Sequence, residues 1–281
     1  MRARDLAIQN FSIAEHLLHL HQLFRDLRPY QANQDYVLAI CTALNLPGET
    51  ALQHAKNSHM TCSVHGAVPM PSCLTTPQGT DFLPRQSVLV SCSALESFFW
   101  DILRENALTV VKARGRSADD SLRNVTLTLD DYLSLQEYAD PDERLKQIIL
   151  NRFERGTLYD SAKIDEIVAI LTVKNFWKEV KKETGLEEAY IRNLLTALIK
   201  RRNAITHRAD RPKEGTAPED IDAHGLSCIS YGWASTHFTN AKTFVLASSD
   251  IIGRAVSQLE SIINQKEEQR IARQTQSPAE P

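Results

Sequence analysis

The sequence predicts an all-α fold, a helical bundle with an additional N-terminal helical element. Apolar residues recur every three or four positions along most of the 281 residues, which is the period of an amphipathic helix. Regular alternation is nearly absent: Val125, Leu127 and Leu129 alternate and are compatible with a short strand or an extended loop. The pattern therefore argues against a parallel-sheet nucleotide-binding enzyme.

The composition is that of a folded globular protein without an excess of positive charge. Hydrophobic residues make up 42% of the chain, charged residues make up 24%, and the formal net charge is -3. Nucleic-acid binding would therefore need a local basic patch. The longest apolar stretch, Tyr36–Leu44, is about half of the ~20 residues that a membrane-spanning helix needs, so we expect no membrane partner. Five scattered cysteines and a polar start predict a cytoplasmic protein.

The predicted N-terminal helical element covers residues 1–58. Its first helix ends at Pro29 and carries one apolar stripe. The stripe consists of Leu6, Ile13, Leu17, Leu20, Phe24 and Leu27, with His16, His19 and His21 on the polar face. We interpret the stripe as packed against the rest of the protein, and the alternative is a short dimerising zipper. A second helix is expected over Tyr36–Leu46, ending at Pro47-Gly48.

Residues 59–81 are predicted to form a linker, because they contain three prolines and lack periodicity. The same stretch holds the possible zinc ligands His59, Cys62, His65 and Cys73. Structural zinc sites usually have two tight ligand pairs separated by a loop, whereas this set is a single irregular cluster. No phosphate-binding glycine loop, metalloprotease motif or nucleophile elbow occurs in the chain. We therefore predict neither a metal site nor a cofactor.

The main helical domain is predicted over residues 82–269, followed by a disordered tail over 270–281. Its helices are expected at Arg85–Val111, from Pro141 after an Asp140 cap, at Asp160–Gly185 with a break near Asn175, from Glu187 to the cations ending in Arg202, and from about Thr239 onward. Between the last two helices we expect a polar, proline-containing stretch.

Positive charge is concentrated in residues 200–213, which contain six cations and one acid in fourteen residues, a formal +5. This run is typical either of a polyanion-binding site or of a solvated helix end. Lys200, Arg201, Arg208 and Arg211 are the candidate RNA-binding cations. Within the run, Arg202 and His207 enclose four residues, and histidine is the side chain best suited to proton transfer near neutral pH.

This run resembles the motif block of the HEPN superfamily, especially its RiboL-PSP-type branch. In that superfamily an Arg, a following polar residue and a His close a long helix, and Arg202, Asn203 and His207 match these positions. Val90–Phe99 resembles the opening helix of the branch, and the resemblance covers roughly Phe82–Gln269. It implies metal-independent RNA cleavage at a dimer interface. Some members carry a modifiable Tyr two places after the motif His, where this chain has Ala209, so that mode of inhibition is not implied.

The chemistry can be tested against the residues. Attack of a ribose 2'-hydroxyl on the adjacent phosphate needs a base, an acid and a cation. A two-fold dimer would supply two copies of His207 and of Arg202. Asn203 is a candidate phosphate donor or His207-orienting group, and otherwise an ordinary helix-end residue. Glu96 and Asp210 are candidate supporting acids, although a solvated helix acid is the ordinary interpretation of Glu96.

Helix geometry sets a condition on this site. On an uninterrupted helix Arg202 and His207 would lie roughly 140° apart, so they can share a phosphate only if the helix ends or kinks between them. The β-branched pair Ile205 and Thr206 favours such an end. Arg202 also continues the apolar line of the helix, so we expect it to face a packed surface with an anionic partner. His224 and His237, near Tyr231 and Trp233, are candidates for a nucleotide-stacking groove or for a core cap.

We therefore predict a homodimeric endoribonuclease, with a toxin or antiviral defence role and an antitoxin or defence-system protein as its partner by family analogy. The first alternative is a noncatalytic HEPN-like module that binds nucleotide or RNA or only dimerises. The second is a helical protein-interaction scaffold in which the motif is a coincidence. An intact Arg202 and His207 pair favours catalysis over the two alternatives.

Overall fold

The computed structural model describes residues 2–26, 80–118, 127–153, 161–222 and 225–276, most of which are helical. Its α-helices are α1 (Arg2–Asp26), α2 (Phe82–Arg114), α3 (Leu129–Glu137), α4 (Pro141–Phe153), α5 (Ser161–Ile170), α6 (Phe176–Thr184), α7 (Glu188–Arg208) and α8 (Tyr231–Gln276). An isolated antiparallel bridge joins Ile221 and Ser227, and no strand occurs within the described ranges. The all-α prediction is confirmed.

Several predicted boundaries are correct because local capping determines them. Asp140 caps α4: its Oδ1 accepts the backbone N–H groups of Asp142 and Glu143, each at 3.1 Å. The expected break near Asn175 separates α5 from α6, and Asn175 has a left-handed backbone with φ 53°. Gly185 closes α6 at φ 71°, a conformation that glycine adopts without a steric penalty.

Several boundaries differ from the prediction: α2 extends three residues beyond the predicted range at each end, and α7 runs to Arg208. The strand alternative at Leu127 and Leu129 is wrong, because α3 begins at Leu129 after a capping box between Thr128 and Asp131. None of the α3 residues is buried, although Leu129, Tyr132 and Leu133 recur at helical spacing. Helix α8 begins at Tyr231, eight residues before Thr239, and continues to Gln276 through part of the expected disordered tail.

The buried face of α1 is not the predicted one. Leu6, Ile13 and Leu20 are exposed by 37%, 48% and 41%, whereas the expected polar residue His21 is 4% exposed. The buried residues of the actual inner face are Ala3, Ala7, Phe11, Ala14, Leu18 and His21. Three alanines allow close packing of the helix, but their small side chains contribute little to an apolar pattern. The helix predicted at Tyr36–Leu46 and nearly all of the 59–81 linker lie outside the described residues.

The chain divides into two units, and the first comprises Met1–Phe11, Ser91–Lys200 and Thr239–Pro281. Its core includes Phe99, Phe176, Trp177 and Phe244. Trp177 stacks on Phe244 with ring centroids 5.5 Å apart, and Phe176 meets Phe244 edge-on at 6.1 Å. Arg192 lies over the Trp177 ring at 4.2 Å. These aromatic side chains are buried and form part of the core of this unit.

The second unit comprises Ser12–Val90 and Arg201–Phe238. It contains the start of α2, the C-terminal part of α7, the bridge between Ile221 and Ser227, and the first turns of α8. The residues of the Arg-Asn-His motif therefore belong to this unit.

Candidate functional site

Arg202, Asn203 and His207 lie in the last two turns of α7. The helix runs to Arg208 without interruption, so the predicted end or kink between Arg202 and His207 is wrong. The hydroxyl of Thr206 donates to the carbonyl oxygen of Arg202 at 2.9 Å, a bond that lets this β-branched residue sit inside the helix. Five helical residues turn by about 140° and rise by about 7.5 Å. One copy of the chain therefore presents Arg202 and His207 on different faces of α7.

The three motif side chains differ in exposure. Arg202 and Asn203 are partly exposed, and His207 is exposed. Nη1 of Arg202 donates to Oδ1 of Asn203 at 3.1 Å. In this bond the amide oxygen of Asn203 is the acceptor. The two N–H groups of the same amide are the donors that Asn203 can offer to an anion. Asn203 thus supports the guanidinium of Arg202 at the surface of the helix.

The end of α7 is a left-handed turn without glycine. Ala209 and Asp210 have φ angles of 49° and 59°. The N–H of Asp210 donates to the carbonyl of Ala204, six residues earlier, at 2.9 Å, so the turn closes back onto the last turns of α7. A left-handed conformation costs a residue with a side chain about 1–2 kcal/mol. Other contacts must therefore stabilise the turn.

Those contacts come from a buried ionic cluster formed by Arg85, Arg201, Asp210 and Asp222. Oδ2 of Asp210 accepts from Nε of Arg85 and from Nη2 of Arg201, each at 2.7 Å. Nη2 of Arg85 also donates to Oδ2 of Asp222 at 2.6 Å. Both guanidiniums donate to the backbone carbonyl of Ser227, at 2.8 and 2.9 Å. The ionic cluster therefore connects α2, the end of α7 and the segment around the bridge.

A backbone hydrogen bond joins two of the same segments, because the N–H of Ser227 donates to the carbonyl of Asp210 at 2.9 Å. Asp210 thus bonds to α7 through its N–H, to Ser227 through its carbonyl, and to Arg85 and Arg201 through its carboxylate. Its side chain is 1% exposed, and those of Arg85 and Asp222 are 8% and 2% exposed. Two cations and two carboxylates give the cluster no net charge, which is the condition for burying charged groups at acceptable cost.

The two guanidiniums respond differently to this environment. Burial, together with the charge of Arg85, lowers the pKa of Arg201 despite the opposing effect of Asp210. For Arg85, burial also acts to lower the pKa, but the hydrogen bonds and charges of Asp210 and Asp222 outweigh it and the pKa is raised. Both remain protonated at neutral pH. Arg201, next to Arg202 in the chain, thus has a buried anionic partner in Asp210.

The other predicted RNA-binding cations have a different environment. Lys200, Arg208 and Arg211 are exposed, as is Lys213. Arg201 is only 19% exposed and is paired with Asp210. The positive charge that this segment offers to a polyanion is therefore carried by the exposed cations and by Arg202.

Glu96 belongs to the first unit, where it is partly exposed on α2. It lines a surface cavity of about 450 Å³. The other described lining residues are Ser93, Ser97, Trp100, Asp101 and Arg104. Among these residues, Arg104 donates to Asp101 at 2.8 Å. Asp210, the other candidate supporting acid, lies in the ionic cluster.

The aromatic residues expected in a loop are helical, since Tyr231, Trp233 and His237 occupy the first two turns of α8. The rings of Trp233 and His237 stack with centroids 3.8 Å apart. Nδ1 of His237 donates to the carbonyl of Trp233 at 2.8 Å, and burial lowers the pKa of this histidine. Each ring thus occupies one face of the other. His224 lies outside the described residues.

Within the described ranges, no group of three or more His, Cys, Asp or Glu residues is placed to hold a metal ion. His59, Cys62, His65 and Cys73 lie outside those ranges. Cys92 is a buried thiol and Cys228 an exposed one, and neither is part of a disulfide. No described helix has both the length and the apolar character required to cross a bilayer.

A sequence-family model described as RiboL-PSP-HEPN matches residues 67–230, more than half of the 281-residue chain. The match includes α2 to α7 and the segment that carries the ionic cluster. The chain belongs to the RiboL-PSP-HEPN family. HEPN domains are often RNases, so membership associates this protein with RNA cleavage or RNA binding. No curated protein and no solved structure matched the chain.

The sequence prediction did not include Arg85 or Asp222. The sequence does indicate that Arg85 and Arg201 are buried. Arg85 precedes Val88 and Cys92 at helical spacing, so it falls on the apolar stripe of α2. Arg201 likewise follows Leu194 and Leu198 by seven and three residues. A cation within an apolar stripe requires a buried counter-charge. Asp222 has no comparable pattern, since it lies in a segment without helical periodicity.

Proposed function

We propose that this protein is a metal-independent endoribonuclease that uses Arg202 and His207. The observation that carries the proposal is the placement of Arg202, Asn203 and His207, at least partly exposed, on the last two turns of α7 within the matched family region. His207 acts as the proton-transfer group and Arg202 stabilises the charge on the phosphate in the transition state. Asn203 orients Arg202 and offers further donors to the phosphate.

In the proposed reaction the ribose 2'-hydroxyl loses its proton to a base and its oxygen forms a bond to the adjacent phosphorus. The bond from phosphorus to the 5'-oxygen breaks, and that oxygen receives a proton from an acid. The products are a 2',3'-cyclic phosphate and a 5'-hydroxyl. One imidazole cannot be base and acid in the same step, and on one helix Arg202 and His207 point about 140° apart.

A homodimer meets both needs, because two copies provide two His207 and two Arg202 side chains in one cleft. The exposed stripe on α1 supports a second copy as partner, since Leu6, Ile13 and Leu20 recur every seven residues in solvent. We expect Ile13→Lys to reduce the dimer fraction, measured by sedimentation. Ile8→Lys is the control, because Ile8 is 40% exposed but lies off the stripe. Equal effects of the two variants would argue against this surface.

The RNA backbone is bound by the exposed cations Lys200, Arg208 and Arg211. Contacts to phosphates are largely independent of sequence and weaken with salt, so this set accounts for affinity rather than for sequence preference. By family analogy, the biological role proposed is that of a cytoplasmic toxin or defence effector under the control of a partner protein.

The test is cleavage of single-stranded RNA by the full chain in excess EDTA, followed by end-group analysis. Products with 2',3'-cyclic phosphate and 5'-hydroxyl ends support the proposal. A strict requirement for an added divalent metal, or 3'-hydroxyl ends, contradicts it.

A noncatalytic RNA-binding module is the second candidate. The continuous helix favours it, because one copy holds Arg202 and His207 on different faces of α7. RNA that is bound but not cleaved, at any protein concentration that permits dimers, is the outcome that distinguishes this candidate.

A further inference from the structure

The ionic cluster contains the one cation of the predicted RNA-binding set that is partly buried. Arg201 stands between exposed Lys200 and partly exposed Arg202, yet its guanidinium donates to Asp210 at 2.7 Å and to the Ser227 carbonyl at 2.9 Å. To bind a phosphate of RNA, Arg201 would have to release these protein partners or share its donors between them and the phosphate. Moving Arg201 to RNA would leave the buried carboxylate of Asp210 with one cation fewer.

The partners of Arg201 are the groups that define the end of α7. Asp210 lies two residues after Arg208, the last residue of the helix. Its N–H donates to the carbonyl of Ala204 inside the helix. Its carboxylate is held from the other side by Arg85, on the first turn of α2. His207 lies between Ala204 and Asp210 in this closed turn. The direction of the His207 side chain therefore depends on the geometry of the turn.

We propose that Arg201, together with Arg85, Asp210 and Asp222, is a positioning residue that fixes the end of α7 and so the placement of His207, and that Arg201 does not bind RNA. The reasons are the shared Asp210 oxygen, the shared Ser227 carbonyl and the near-complete burial of both carboxylates. Two successive left-handed residues without glycine, Ala209 and Asp210, need such support. In its effect on RNA cleavage the inference rests on the proposed function.

The discriminating variant is Arg201→Lys in the full chain. Lysine keeps the charge and would replace arginine at a phosphate, but it cannot donate to Asp210 and Ser227 in the planar geometry of a guanidinium. We expect kcat for RNA cleavage to fall about 10- to 100-fold, the loss typical of a misplaced catalytic group. The Kd for RNA and its salt dependence should be unchanged.

Two further variants show the behaviour expected of an RNA-binding arginine and of an arginine without a role in the site. Arg208→Ala removes an exposed cation, and we expect weaker RNA binding with a salt slope reduced by about 1. Arg254→Lys changes an exposed arginine paired with Glu183, and both kcat and Kd should match the wild type. If Arg201→Lys keeps the wild-type kcat, the positioning role is wrong. If Arg201→Ala lowers the affinity for RNA and the salt slope as Arg208→Ala does, Arg201 is an RNA ligand and the inference is also wrong.

A second readout does not depend on RNA. Proteins labelled at histidine carbons report the environment of each imidazole by NMR, with His207→Ala used for assignment. We expect the His207 signal to shift or broaden in Arg201→Lys and to stay in place in Arg254→Lys. An unchanged signal would overturn the inference. If the wild type cleaves no RNA but the signal moves, the proposed function fails and the positioning role stands. Should Arg201→Lys not fold, Asp222→Asn is the milder variant for the same measurements.

Discussion

Arg201 and Asp210, nine residues apart in the chain, form a 2.7 Å ion pair in which the Asp210 side chain is only 1% exposed. The adjacent Arg202 is partly exposed and donates to Asn203. Two neighbouring arginines in one basic run therefore have different environments. The first is held among buried carboxylates and a backbone carbonyl, and the second is presented at the surface of α7 next to the groups proposed to act on RNA.

Removal of the Asp210 carboxylate should destabilise the fold strongly. Asp210→Ala leaves Arg201 without its carboxylate and Arg85 with only Asp222, and breaking a buried ion pair costs about 3–5 kcal/mol. The free energy of unfolding from urea titration measures the loss. Asp250→Ala is the control, because its ion pair with Arg4 is exposed and such pairs contribute about 0–1 kcal/mol. Similar losses in the two variants would contradict the central role of Asp210.

Ala209→Gly should have the opposite effect. Ala209 has a left-handed φ of 49°, which costs a residue with a side chain about 1–2 kcal/mol and glycine almost nothing. Glycine loses more conformational entropy on folding than alanine, which offsets part of this advantage. We therefore expect a net gain of about 0.5–1 kcal/mol in stability. The same substitution at Ala204, inside α7, should cost about 1 kcal/mol. A loss of stability in Ala209→Gly would show that the left-handed turn is not present in solution.

The sequence predicted elements whose caps and apolar faces are both local. Asp140, Asn175 and Gly185 mark helix ends through their own side chains or backbone preferences, and the structure has ends at all three. The face of α1 was predicted wrongly, since Ala7 and Ala14 contact the core while the larger Leu6 and Ile13 are in solvent. Which of two overlapping stripes is buried depends on tertiary packing, to which helical periodicity is insensitive.

In the candidate site, too, the features set by local sequence were predictable and those set by tertiary contacts were not. Arg202, Asn203 and His207 were identifiable because they lie close together in one helix. The end of α7 was not, because it depends on Arg85 and Asp222, which are 125 and 12 residues away from Asp210 in the chain. Contacts of this kind form only after the fold brings α2 to the end of α7, and no local pattern predicts the pairing.

The stability of the protein should depend on His237 in mildly acidic solution. Burial lowers the pKa of His237, partly offset by its bond to the Trp233 carbonyl, so the folded state favours the neutral imidazole. The unfolded chain binds the proton more readily, so stability is lost as the pH falls through about 6.5. His237→Asn should therefore reduce the drop in Tm between pH 7.5 and pH 5. Thr236→Asn, at an exposed neighbour, should retain the wild-type drop, and an equal change in both variants would contradict this role.

Mixed dimers test the composite site. We expect His207→Ala and Arg202→Ala each to be inactive alone, and a mixture under subunit exchange to exceed both, because one His207 and one Arg202 then remain in the shared cleft. The rate of RNA cleavage in the mixture is the measurement, with the mass of the wild type in solution as its companion. A strictly monomeric protein that cleaves RNA would contradict the shared cleft.

The most direct test of the central claim separates RNA cleavage from RNA binding in His207→Ala. A positioned acid or base contributes about 10²- to 10⁴-fold to a rate, so the variant should lose cleavage by that factor in the presence of EDTA. Lys200, Arg208 and Arg211 are untouched, so the Kd for RNA should stay within about twofold of the wild type. Cleavage by His207→Ala at the wild-type rate would contradict the assignment of His207 and, with it, the proposed endoribonuclease site.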